Sequence, residues 1–359
     1  MSGGVLADLL PEGIRPWIPG ELRRPKAPER YTTCDDCAML VPGADPDAGD
    51  AVFRPDTKCC TYHPWLPNFL VGGLLVDPEP ALAAGRSRVL AKIEARVGVT
   101  PVGIRALPLS EHLYKIGHGV FGRSETLRCP YFAQDTGGCT VWRYREAACA
   151  TWFCKYAEGE DGHRLWRAVR AFLEELEGAL VIHALLELGF EGDRVNAWLP
   201  GRSQLGSREV DRRAPAAREY DEMWGPWVGR EGELYGRCLE VVRQVDGEQA
   251  RAMTGARGRL RLDAIRRLGD RIDRGEVPER LRLNPDLGYS PDGDGRALLT
   301  TYSPYDPARI SQGLFAALHE FDGRRSNQEA QSAIEARHGF RLSPSLVLRL
   351  HRQRILVAS

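Results

Sequence analysis

The sequence carries no net charge, since 49 basic and 49 acidic side chains balance over 359 residues. No global field therefore draws the chain to nucleic acid or anionic lipid, and partners have to be argued locally. No apolar run is long enough to span a bilayer, because the longest, Leu66 to Val76, is broken by Pro67, Asn68 and a glycine pair. The opening stretch MSGGVLADLLPEGIRPWIPGELRRPK has no charged segment leading into an apolar one, so no secretory signal is read there. A Gly-rich cofactor loop, a Ser/His/Asp series and a CxxxCxxC radical motif are also missing. A chain of this length needs no disulfides to make up for a small core. The expectation is a soluble, cytoplasmic protein with no membrane partner.

What is present is cysteine, in clusters. Four of the nine cysteines lie in CPYFAQDTGGCTVWRYREAACATWFCKY, at Cys129, Cys139, Cys149 and Cys154, and four more lie upstream at Cys34, Cys37, Cys59 and Cys60. In a reducing compartment such clusters stay as thiols and point to metal. Cys34 and Cys37 form a CxxC knuckle, two thiols across a tight turn. Cys59 and Cys60 are adjacent, and on extended backbone they face opposite ways. They then suit a multinuclear cluster or two sites, unless a turn redirects one of them. Proline after Cys129 removes a backbone donor and fixes the turn that aims the thiolate. Gly137 and Gly138 free the backbone just before Cys139. Cys149 and Cys154 fall near a helix start, and Trp142, Tyr144, Trp152 and Phe153 offer either an apolar wall around the ligands or an ordinary small core.

The remaining candidates read more simply as structure. His63 is a reserve ligand by proximity, although a histidine before proline in an aromatic segment is usually packed. His112 and His118 are single histidines among ordinary neighbours, and His183 lies beside the apolar side of a helix. Cys238, in LYGRCLEVVRQV, has no thiol neighbour and reads as a small buried hydrophobe.

Periodicity places the helices. Leu82, Val89, Leu90, Ile93 and Val97 mark one from Pro80 to about Val97, expected to pack beside the metal region. Trp166, Val169, Phe172, Leu173, Leu176, Leu180 and the run from Leu185 to Leu188 mark a long one stopped by Gly189. In GARGRLRLDAIRRLGDRIDRG, Leu260, Ile265, Leu268 and Ile272 fall on one face. Beyond Pro278 the pattern is strand, Asp-Gly turn, strand, helix, Asp322-Gly323 turn, helix, turn, helix. Leu314, Leu318, Phe321, Ala330, Ile334, Leu346, Leu350 and Ile355 are its expected core. The fold class is therefore mainly α, with an irregular cysteine-rich metal-binding region and a small winged-helix-like C-terminal module. The division is an irregular arm over 1–33, a cysteine-cluster domain over 34–190, a charged helical region over 191–276 and the winged-helix-like module over 277–359.

The order Cys59-Cys60, Cys129-Pro130-Tyr131, Cys139-Thr140-Val141, Cys149 and Cys154 resembles the YkgJ-type cysteine-cluster proteins, described as zinc- or iron-chelating. That resemblance covers roughly 34–156 and implies that these thiols bind metal. A related cysteine pattern occurs in flagellin lysine-methylase proteins. ALHEFDGRRSNQEAQSAI and the following helix are similar to PqqD-like peptide-recognition modules, which implies a peptide or protein partner for 277–359.

The leading expectation is a metal-binding protein whose cysteines hold an iron-sulfur cluster, with zinc as the alternative, because thiolate-only sites select these two. A structural zinc domain that merely holds the fold together is the plainest form of it. The other readings are a metal-dependent peptide- or protein-modifying enzyme, or its recognition partner, and a metal- or redox-sensing DNA-binding regulator using Arg341, Arg349, Arg352 and Arg354. Interspersed acids disfavour nucleic acid. No motif assigns a catalytic residue.

Overall fold

NFLVGGLLV is apolar on every side, so its helix, Asn68–Val76, has to be enclosed rather than laid on a surface. The computed structural model of the chain describes residues 4–26, 29, 34–41, 43, 52–117, 119–199, 213–293 and 295–359. In it this helix is buried from Asn68 to Leu74 and packs along the helix Glu231–Val242. Gly72 makes the close approach possible, since a Cβ there would lie 2.1 Å from the Tyr235 carbonyl oxygen. Asn68 is satisfied inside the core through Pro101, whose carbonyl accepts from Nδ2 at 3.1 Å.

The structure divides into two units. The first holds Met1–Pro28, Thr32–Trp152 and Val169–Asp263, and the second holds Glu29–Tyr31, Phe153–Ala168 and Ala264–Ser359. This cuts across the four-part division read from the sequence. Residues 34–152 share a unit with 169–263, and 277–359 shares one with 153–168. Helices dominate, and the sheets have two or three short strands. Among the described residues no helix is long and apolar enough to cross a membrane.

The expected N-terminal arm is irregular in backbone but not loose. Three 3-10 turns, Leu6–Leu9, Arg15–Trp17 and Gly20–Leu22, carry it over the first unit, burying Leu6, Leu10, Ile14, Trp17, Ile18 and Leu22. The Trp17 indole N–H donates to the carbonyls of Val242 at 2.9 Å and Val245 at 3.1 Å. The periodicity was hidden because 3-10 turns bury side chains at three-residue spacing over stretches too short to read.

Two helical faces are turned from where the pattern put them. The 80–97 segment becomes a 3-10 turn, Pro80–Leu82, and a helix, Ala83–Ala95, in which Leu82 and Val89 are buried but Leu90 is 53% exposed. Its inward face runs through Gly85, Arg88, Val89 and Lys92, at helical i, i+3, i+4 and i+7 spacing. In the helix Gly255–Arg274 the buried positions include Leu262, Ile265 and Ile272, while Leu260 is 66% exposed. Leu260 sits about 160° around the helix from Leu262, so both cannot face the core. The long helix, Gly159–Glu187, and the left-handed Gly189 that comes after it match expectation.

In the second unit the strand Arg280–Leu283 lies between Asp322–Ser326 and Leu356–Ala358, both antiparallel to it. Gly288–Asp292, Arg296–Thr300 and Ala308–Ser311 form a separate meander. The first two strands of this meander meet at the expected Asp-Gly turn, of which Asp294 lies outside the described residues. Asp322-Gly323, expected as a turn, instead opens a strand whose register shifts, with Gly323 at φ +79°. Helices Gln312–Leu318, Asn327–His338 and Pro344–Arg352 complete the module. Leu318, Phe321, Ala330, Ile334, Leu350 and Ile355 are buried in its core, and Leu314 and Leu346 pack against it half-buried. Glu320 is buried there between Arg325 and Arg337, each at 2.7 Å, so its charge is paired.

Candidate metal centre

The CC pair is placed by a turn, which removes the expectation that Cys59 and Cys60 face opposite ways. Lys58 takes a left-handed φ of +48°, Cys60 N–H donates to the Thr57 carbonyl at 3.0 Å, and Thr61 N–H donates to the Cys59 carbonyl at 2.9 Å. Both side chains then meet. The Cys60 thiol donates to Cys59, which holds Cys59 below the ordinary thiol range and, with burial, drives Cys60 far above it.

The second half of the cluster is docked on the first through backbone. Cys129 N–H donates to the Cys60 carbonyl at 2.7 Å, and the Cys129 carbonyl accepts from Phe132 at 3.1 Å, giving the turn expected at Cys-Pro. The strand Phe132–Ala133 pairs with Gly138–Cys139, with Phe132 opposite Cys139, and Gly137 takes φ +66° between them. The 83–95 helix closes over this hairpin. A Cβ at Gly85 would stand 2.3 Å from the Thr140 carbonyl oxygen, and Arg88 donates to the carbonyls of Pro130 at 2.9 Å and Phe132 at 2.6 Å.

Seven of the eight candidate thiols belong to the first unit, and each is influenced by at least one other. Burial and the charges of Cys59 and Cys139 push Cys34 up to about 12. Burial, with Cys139 and Cys59 nearby, pushes Cys129 to about 12. Cys37 is raised by burial and by Cys59, and Cys139 by burial and by Cys59. Cys149 is raised by burial, Glu146, Cys129 and Cys139. Cys154 belongs to the second unit and is half-buried. All nine cysteines are free thiols. Among the described residues no three His, Cys, Asp or Glu side chains are already gathered as a coordination sphere.

Cations surround the thiols, and sequence reasoning missed all of them. Lys58 lowers the cost of ionising Cys34, Cys37 and Cys59. Arg145 faces Cys34, Cys59, Cys139 and Cys149 and stacks 3.3 Å over the Trp142 ring, while burial lowers its own pKa. Lys92, also lowered by burial, stands beside Cys129, and Arg88 acts on Cys139. The available signal was Gly85, Arg88 and Lys92 on one side of a helix, a polar face directed at a site rather than at solvent.

The aromatic wall is built differently from expectation. Trp142 and Trp152 are 37% and 39% exposed, and Tyr144 donates to Asp77 at 2.9 Å. Phe153 is packed within the second unit against Trp166. The rings assembled in the first unit are instead Tyr62, Tyr114, Phe121, Phe53 and Trp152, in edge-to-face contacts 5.2 to 6.2 Å between centroids.

The histidines are placed as follows. His63 Nε2 lies 3.0 Å from the Leu127 carbonyl and 3.1 Å from that of Arg128, so it carries the proton as donor. His112 is exposed, His183 is half-buried, and His118 lies outside the described residues. Cys238 is fully buried, and burial alone raises its thiol. Of the arginines offered to DNA, Arg341 pairs with Glu335 at 2.6 Å, Arg352 with Glu158, and Arg354 with Glu160 at 3.0 Å. The basic end is thus largely neutralised from within.

Beneath Cys149, Glu146 caps the short helix Ala147–Thr151, accepting from Ala148 N–H and from Cys149 N–H at 3.0 Å. Glu177 accepts from the Ala147 backbone, and burial with Glu146 nearby drives its carboxyl well above the ordinary range. A carboxyl raised on folding takes up a proton, so it lowers stability progressively as pH climbs from the unfolded value of about 4.3 towards the folded one. Glu177→Gln is therefore expected to melt higher than the parent at neutral pH, with the gap closing as pH falls to about 4. Thermal melts at the two pH values check this, and coincident curves at neutral pH would refute it.

Comparison with protein-family models, with curated proteins and with solved structures found no match to this chain.

Proposed function

We propose that the cysteines between 34 and 154 bind metal as thiolates, in an iron-sulfur or zinc centre of the kind the YkgJ-type resemblance implies. The observation that supports this reading is geometric: a turn at Lys58 presents Cys59 and Cys60 together, Cys129 N–H docks on the Cys60 carbonyl at 2.7 Å, and a short hairpin sets Cys139 opposite Phe132, with Lys58, Arg88, Lys92 and Arg145 close by. Protonated, such a cluster has several buried or half-buried cations and, among the described residues, no carboxylate paired with them. Metal binding displaces the thiol protons, and the resulting metal-thiolate group, anionic as a whole, is the charge these cations complement. The donor set fits zinc and iron-sulfur clusters. Seven thiols exceed the four of one tetrahedral zinc ion, which favours a cluster or a pair of ions. Since among the described residues no three ligands are already gathered, binding would draw the thiols together, tying metal uptake to local ordering.

Anaerobic purification followed by iron, zinc and acid-labile sulfide analysis, with an absorption spectrum, tests the proposal. Iron with matching sulfide supports the cluster form. A colourless protein with stoichiometric zinc leaves zinc alone, and a chain that takes up neither ion overturns the reading.

A further inference from the structure

We infer that Lys58 is a positioning residue and fixed counter-charge that couples the Cys34–Cys37 knuckle to the Cys129–Cys139 half of the centre. The inference rests on the metal-binding reading above and assigns a role to a residue that ligates nothing.

Three observations meet at this side chain. Its backbone occupies the left-handed region at φ +48°, which side-chain-bearing residues avoid and which here forms the turn presenting Cys59 and Cys60. The residue is only 9% exposed, and Nζ donates to the Cys34 carbonyl at 2.7 Å and to the Gly137 carbonyl at 2.6 Å. These acceptors lie 24 and 79 residues away in sequence, one in the CxxC knuckle and the other in the loop before Cys139. Gly137 is shaped to admit the ammonium: it takes φ +66°, and a Cβ there would come within 3.0 Å of Nζ.

The charge needs an anion. A buried ammonium is costly unless it is both hydrogen-bonded and paired. Two carbonyls supply hydrogen bonds but no charge, and among the described residues no carboxylate pairs with Lys58. An anionic metal-thiolate group formed by the knuckle it holds and by Cys59, next to it in the chain, would supply that charge. One side chain therefore fixes the path of the knuckle and balances the thiolates it delivers. Without it, Cys34 and Cys37 are tethered to the rest of the centre less directly than the other thiols.

Titration of the reduced full-length chain with Co²⁺ under anaerobic conditions, tracked by the thiolate charge-transfer absorption, measures the coupling. Iodoacetamide labelling with mass spectrometry, at saturating Co²⁺, reads which thiols the ion protects. Lys58→Met is expected to weaken Co²⁺ binding by about tenfold or more, as loss of a group supporting ligands does. Protection should be lost at Cys34 and Cys37 while Cys129 and Cys139 keep theirs, and Lys58→Arg, which keeps the charge, should recover most of the affinity. Should Lys58→Met fail to fold, judged by circular dichroism, Lys58→Gln carries the same test. Unchanged affinity and protection overturn the inference and leave the metal reading standing. A uniform loss of protection at all thiols in a folded variant also overturns it, since that is the signature of a general packing role. If the parent chain binds no Co²⁺, the metal reading itself falls.

Discussion

Cys139→Ser is expected to strip metal from the protein, while Cys238→Ser leaves it loaded. Cys139 is held in the hairpin opposite Phe132, next to the Cys129 turn that docks on Cys60. Serine keeps the shape and removes the soft donor, so the ion loses a ligand without a large change in packing. Loss of a supporting outer-shell group alone costs roughly 10–100-fold in affinity, so a lost ligand should cost at least about 100-fold. Cys238 is equally buried but has no thiol near it, and its replacement should affect packing and not metal. Cys154→Ser is expected to lose metal, as the cysteine order of the YkgJ-type resemblance implies. Metal content per chain, measured on the parent and the three variants purified in parallel, decides the assignment. Equal content in all four would refute it.

Gly72→Ala is expected to be a strongly disruptive single-methyl change in the first unit. The added carbon would stand 2.1 Å from the Tyr235 carbonyl oxygen and 2.7 Å from its carbonyl carbon. These are backbone atoms inside a helix, so the overlap cannot be relieved by a rotamer change and the two helices have to part. Overpacking commonly costs about 1–3 kcal/mol, and a clash with backbone belongs at or above the top of that range. Gly236→Ala, on the neighbouring helix, meets nothing within 4 Å and should cost far less. Chemical denaturation of the two variants beside the parent tests this. A Gly72→Ala midpoint no lower than that of Gly236→Ala would show that the helices are not in the contact described.

Spacing alone was legible in the sequence, and tertiary approach was not. The eight core positions of the C-terminal module and the long helix ending at Gly189 have strong periodic patterns with clear punctuation, and they fall where expected. Leu90 was placed on the wrong side because Arg88 and Lys92 share the inward surface of its helix, so apolar residues alone do not define the face. Leu260 was misplaced because Leu262, two positions on and nearly opposite, takes the inward place while every arginine of that helix is exposed. At the thiol cluster the cysteines announced themselves, but the turn at Cys59-Cys60 depends on a left-handed Lys58 that no composition rule anticipates. Lys58, Arg88, Lys92 and Arg145 were invisible for a related reason. Each gains its role from the neighbours the fold brings to it, and in the sequence each is an ordinary surface cation.

The hydrogen bonds from Trp17 to residues 225 and 228 positions later bear on how the protein is made. On the ribosome Trp17 emerges early, but the backbone it must cap follows 225 and 228 residues later. At about 5–20 residues per second, the wait is on the order of 10–45 s. Every one of Cys34, Cys37, Cys59, Cys60, Cys129, Cys139 and Cys149 is translated inside that interval, before the core that shields them can close. A nascent chain of this protein therefore spends its synthesis as a string of accessible thiols. If the proposed metal centre forms, its yield should depend on the redox state and metal supply met during translation as much as on the stability of the finished fold.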